Sequence, residues 1–233
     1  MSILAFWRER SEDFETCAEK LSRLMVAIND ALGDDEAWLD IKGGVINLGI
    51  GAIGSHLSQN ISEVTGQPLK DMGWSANFHR GAPGAFSTLE VQCGASAWTG
   101  NIIVLKFPDD FRIEHFLVRK LLIEFQSIYD PEAISSFSSQ AVRRRINADP
   151  RPPRPIVDWM VYLANTIIPA EELPMVHSVE RVGSGTLVIL KKEPINLEDP
   201  DDLALVEAVE PVIRRHQPDL ELKPPPRRAR QGP

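Results

Sequence analysis

The chain of 233 residues is 43% hydrophobic and carries a formal charge of −8, the composition of a folded protein with enough chain to bury a core. It excludes a helical membrane protein, because no apolar run approaches the roughly 18 residues a span needs. Residues 218–233 are net +2, which leaves the body at about −10; such a surface repels nucleic acid and steers toward basic partners.

The first residues, MSILAFWRER, place an apolar patch ahead of the charges, the reverse of a secretory leader, so a cytoplasmic protein is expected. Ile3 to Trp7 reads as a strand. Ser11 is the expected cap of a helix in which Phe14, Cys17, Leu21, Leu24, Ile28 and Leu32 recur at steps of three and four, and Gly33 ends it. DDEAWLDIKGG reads as a loop with an acidic lead-in, VINLGIGAIG as a glycine-dotted apolar segment, and SHLSQNISEVTG as a modest helix.

Trp74 to His79 and Phe86 to Cys93 alternate apolar and polar residues around Gly81-Ala-Pro-Gly84, which predicts a hairpin. Asn101 to Phe107 is nearly all apolar and predicts a strand covered on both faces. A second helix follows on Ile113, Phe116, Leu117, Leu121, Phe125 and Ile128. Ile134 to Phe137 reads as a strand and Ser139 to Ile146 as a short arginine-rich helix. DPRPPRP at 149–155 reads as a stiff connector. Trp159 to Leu163, Val176 to Val182 and Thr186 to Leu190 read as three more strands. The last helix starts at Pro200 behind an Asp199 cap, with Pro211 inside it, and a Pro/Arg-rich tail is expected to be disordered from 218.

These elements predict an α+β fold: an antiparallel-rich mixed sheet with helices packed mainly on one face. NIIVLKFP and TLVILKKEP, and WSANF and WMVYL, take matching places in the two halves. They suggest duplication of a β-α-β-β-β-α unit, about 1–130 and 131–217, within a single domain spanning 1–217.

Little chemistry is marked. Gly49-Ile-Gly51-Ala-Ile-Gly54 matches the dinucleotide fingerprint after a strand-like VINL, so a nucleotide-binding protein using 49–54 is the alternative reading, although strands follow strands where a nucleotide fold alternates them with helices. His56, His79, His115, His177 and His216 form no HxH or HExxH spacing. Cys17 and Cys93 are expected as free buried thiols. The carboxylate pairs fall in turns and at helix starts, where capping accounts for them. The expectation is therefore no catalytic residue, no cofactor and no metal.

One resemblance covers most of the chain. FWRERSEDFETCAEKL, GWSANF, LEVQCGAS, NIIVLKFP, DWMVYL and VERVGSGTLVILKKEP, with the final helix, resemble immunity protein fifty-two of bacterial polymorphic toxin systems. The resemblance implies a cytoplasmic protein of toxin and type VI secretion systems that binds and silences a cognate secreted toxin, often a nuclease with a basic cleft, without contacting membrane or nucleic acid itself. Under that reading the acidic loop Asp34, Asp35 and Glu36 with Trp38 as aromatic anchor is the first contact candidate. Asp109, Asp110, Glu171 and Glu172 are the second.

Overall fold

The computed structural model describes residues 1–59, 66–82, 85–96, 100–108, 111–148 and 155–217. Pro83 and Gly84 of the expected hairpin turn, Asp109, Asp110, the connector residues 149–154 and the tail from 218 therefore lie outside the described residues.

Among the described residues ten strands form one sheet: β1 Ser2–Trp7, β2 Leu39–Asp40, β3 Ser58–Gln59, β4 Trp74–Arg80, β5 Ser87–Cys93, β6 Asn101–Lys106, β7 Ala133–Phe137, β8 Met160–Leu163, β9 Ser178–Val182 and β10 Gly185–Ile189. The order is β2-β4-β5-β6-β1-β7-β8-β10-β9, with β3 sharing the outer edge of β4 beside β2. Each pairing between these strands is antiparallel. Five helices, α1 Phe14–Leu32, α2 Ile50–Gly54, α3 His115–Tyr129, α4 Ser139–Ala148 and α5 Pro200–His216, complete the α+β fold.

The first helix forms where the periodicity puts it, but its cap is Asp13, whose Oδ1 accepts from Thr16 N–H at 2.8 Å; Ser11 lies two residues too early. Gly33 closes the helix at φ 70°, a conformation that disfavours a side chain, and its N–H reaches the Asn29 carbonyl at 2.9 Å. The inward side chains Cys17, Leu21, Leu24, Met25 and Ile28 are buried, each worth about 1.5–3 kcal/mol against exposure. They pack beside α3, which buries Val118, Leu121, Leu122 and Phe125. Asp199 caps α5 by accepting from Asp201 N–H at 2.9 Å, with Pro200 in the first turn.

The two flanks of the sheet are covered differently. In β4, β5 and β6 burial alternates along the strand, so the expectation that Asn101 to Phe107 is covered on both faces fails: Ile103 and Leu105 are buried, whereas Ile102 and Val104 are only partly so. In β7, β8 and β10 every residue is buried, the pattern of strands with a layer on each side. The helix predicted from Ser55 to Gly66 also fails: α2 ends at Gly54, Ser58–Gln59 pairs with β4, and 60–65 is outside the described residues.

The strand order does not repeat between the halves. β6 lies directly beside β1, but its proposed counterpart β10 is separated from β7 by β8. WSANF begins the strand three places from β1, whereas WMVYL begins the strand next to β7. Matching hydrophobic strings here mark neither equivalent positions nor equal burial.

Candidate functional site

The segment 34–46 grows out of the end of α1 and is fixed to the sheet edge by its own backbone. Ile46 N–H donates to the Trp38 carbonyl at 2.8 Å, Asp40 N–H to the Gly44 carbonyl at 2.9 Å, and Gly43 N–H to the Asp40 carbonyl at 2.9 Å. The Asp40 carboxylate accepts from Lys42 N–H at 2.8 Å and Gly44 N–H at 2.9 Å. Those two amides hold its carboxyl below the usual range, the Gly44 contact first. Gly43 makes the turn at φ 83°, which favours glycine.

Asp34, Asp35 and Glu36 are exposed, as an acidic contact surface requires. Trp38 is not: it is 1% exposed, so the anchor role expected of it is corrected. Its indole N–H donates to Asn29 Oδ1 at 2.9 Å, and the guanidinium carbon of Arg80 stands 5.4 Å over its ring. Arg80 is also 1% exposed. It pairs with Asp34 and lies 3.8 Å from Glu36 Oε2. Two of the three acidic residues thus neutralise a buried cation and shape the loop, and Asp35 is left facing water. Arg80 is the residue the sequence reading missed. The alternation was a usable signal, since Trp74, Ala76, Phe78 and Arg80 share one face of β4 and the first three are apolar.

Glu171 and Glu172 lie in a short turn, Ala170–Glu172, after β8. Glu172 Oε2 accepts from Arg215 at 2.7 Å and meets His216 Nε2 at 2.9 Å, at the end of α5. These contacts hold its carboxyl below the usual range, His216 first. The structure does not bring the two acidic turns together. Six strand steps separate β2 from β8, about 30 Å at the usual spacing.

Both acidic turns carry exposed aliphatic neighbours that sequence reasoning passed over. Ile41 and Val45 are 75% and 74% exposed, and Ile167 and Met175 flank the second turn at 68% and 48%. The sequence gives no sign of this, because an aliphatic residue beside glycine reads equally well as core.

Gly49–Gly54 does not form a dinucleotide site. The helix has five residues and no parallel strand pair accompanies it among the described residues. A Cβ at Gly54 would stand 2.8 Å from the Phe14 ring, so that glycine serves the contact between α1 and α2. Among the described residues no group of three or more His, Cys, Asp or Glu side chains could hold a metal, and no helix is long and apolar enough to cross a membrane. Cys17 and Cys93 are free and buried, in contact with each other; that contact and burial raise the Cys93 thiol far above its usual range.

A search of curated proteins finds no match. Among solved structures the chain is similar to the Pseudomonas aeruginosa T6SS protein PA0821, at 14% identity and a TM-score of 0.50, over 90% of this chain and 72% of that one; at that identity the likeness speaks for the fold. The family model described as immunity protein 52 matches residues 69–217, from the strand β4 region through α5. With well over half its length covered, the chain belongs to the immunity protein 52 family.

Proposed function

We propose that this protein binds one cognate secreted toxin and neutralises it by occlusion, residues 1–217 acting as a single non-enzymatic unit in the cytoplasm. The match to the immunity protein 52 family over 69–217 carries this reading. The net charge of −8 supports a toxin with a basic cleft, such as a nuclease, because opposite surface charge speeds encounter and an acidic surface can occupy a phosphate path. The exposed carboxylates at 34–36 are the proposed first contact, and Asp109, Asp110, Glu171 and Glu172 the second. Trp38 contributes from beneath by holding the loop.

Co-expression tests the function. The toxin encoded beside this chain's gene should kill a host alone and spare it when this protein is present, and the two purified proteins should form a stable complex whose on-rate falls with salt. A host that dies equally fast with and without this protein, from a toxin that does not bind it, would overturn the reading.

A further inference from the structure

We propose that the turn at 40–45 is the apolar anchor of the toxin interface, with Ile41 and Val45 entering an apolar depression on a toxin surface rimmed by cations. This inference rests on the immunity reading and deepens it by naming the contact. Ile41 and Val45 are 75% and 74% exposed, the highest values among the large aliphatic side chains described. Their backbone is nonetheless fixed. The Asp40 carboxylate, the Leu39–Val45 bridge and the Trp38–Ile46 hydrogen bond hold the turn, and Trp38 and Ile46 root it in the core. A rigid projection loses little freedom on docking, so its apolar surface counts toward affinity.

The charge around the turn selects the occupant. Asp34, Asp35, Glu36 and Asp40 face Arg80, Lys42 and, 4.0 Å from Asp40, His56, and among the described residues Asp35 has no partner. An apolar centre with an excess of carboxylates at its rim fits a partner of the opposite arrangement and disfavours a second copy of this acidic chain, whose rim would repel it. Beside Ile167 and Met175 the excess is smaller, because Glu172 is matched by Arg215 and His216 and Glu171 is left over. The turn also lies outside the family-model span of 69–217.

The experiment titrates the toxin domain encoded beside this chain's gene, purified with its catalytic centre inactivated, against wild type, Ile41→Ser with Val45→Ser, Val45→Thr alone, Asp35→Lys, and Ile167→Ser with Met175→Ser as the control of equal chemistry. Expected are a loss of about 30-fold or more for the serine pair and a smaller loss for Val45→Thr, which keeps the side-chain shape. Asp35→Lys should chiefly slow association, and Ile167→Ser with Met175→Ser, beside the second proposed contact, should lose clearly less than the Ile41 and Val45 pair. Thermal melts should be unchanged throughout, because the altered side chains are exposed. Val45→Thr gives the reading should the serine pair melt early. Wild-type binding with the serine pair and Val45→Thr each within about threefold of it overturns the anchor and leaves the immunity reading standing. No binding by wild type brings down the reading and the anchor together. Self-association lost on Ile41→Ser with Val45→Ser would assign the turn to a second copy and overturn the toxin as its occupant.

Discussion

Arg80 and Asp158 are buried on opposite flanks of the sheet, and the fold handles the two in opposite ways. At the β4 edge the buried group is the Arg80 cation, met by Asp34 and Glu36, whose side chains are half in water. Near β8 it is the Asp158 carboxylate, 1% exposed, which among the described residues accepts only from the amide and hydroxyl of Ser138, at 2.7 and 2.9 Å, and has one oxygen without a partner there. A cation paired with charge is stable while its partners are ionised. A carboxylate held by neutral donors is most comfortable when it is itself neutral. The acidic surface turns inherit this difference: 34–36 is built into the fold, whereas Glu171 and Glu172 rest on the end of a helix.

The largest expected effect breaks the first arrangement from the surface. Asp34→Asn with Glu36→Gln leaves the Arg80 guanidinium buried without a counter-charge, which should cost about 2–4 kcal/mol after allowance for the water already reaching both carboxylates. Arg80→Met should cost less, because it removes the charge and keeps much of the stem packed on Trp38. Chemical denaturation of the three proteins decides the order. If Arg80→Met is the more damaging, Arg80 acts as packing and the ion pair is incidental. The same logic limits charge reversal across 34–36 as a binding test, since it would unsettle the loop before it touched any partner. Asp35 is the clean probe.

That limit shows how far the sequence could be read. The α1 and α3 periodicities, the β4–β5 hairpin and the Asp199 cap are local patterns, and the chain realises them locally. Whether a residue beside them is inside or outside depends on what packs across the sheet. Trp38 reads as an exposed anchor because its neighbours are acidic, yet Arg80, 42 positions away, draws those acids in and covers the ring. Ile41 reads as part of a loop and Val45 as the start of an apolar segment, and the Asp40 turn lifts both into solvent. The duplication misleads for the same reason: β6 and β10 share a hydrophobic string, and string similarity carries no information about which strand lies next to which.

The next effect sharpens the contrast through pH. Burial raises the Asp158 carboxyl above its ordinary 3.8, against the lowering hydrogen bonds from Ser138. Well below 3.8 the folded and unfolded chains are both protonated there. As pH climbs past 3.8 toward the raised value, the unfolded chain has released the proton and the folded chain keeps it, so this group makes folding less favourable as pH rises. Asp158→Asn cannot ionise and should gain on wild type through that interval and hold the gain at neutral pH. Denaturation midpoints measured across the acid range check it, and a wild type that gains on the variant with rising pH would mean the Ser138 bonds outweigh burial.

The smallest effect belongs to the surface turn and has the opposite sign. Contacts with His216 first, and then Arg215, lower the Glu172 carboxyl from its ordinary 4.5. Its contribution is therefore present above 4.5 and lost as pH falls through the lowered value. Glu172→Gln should lower the melting temperature slightly at neutral pH. The difference should close on acidification and shrink as salt is added, since both partners are within reach of solvent. Were the difference to persist in acid and at high salt, the turn would be held by shape and not by charge. Glu171 and Glu172 would then be free to meet a partner at no cost to the fold, which would widen the distinction between the two acidic turns.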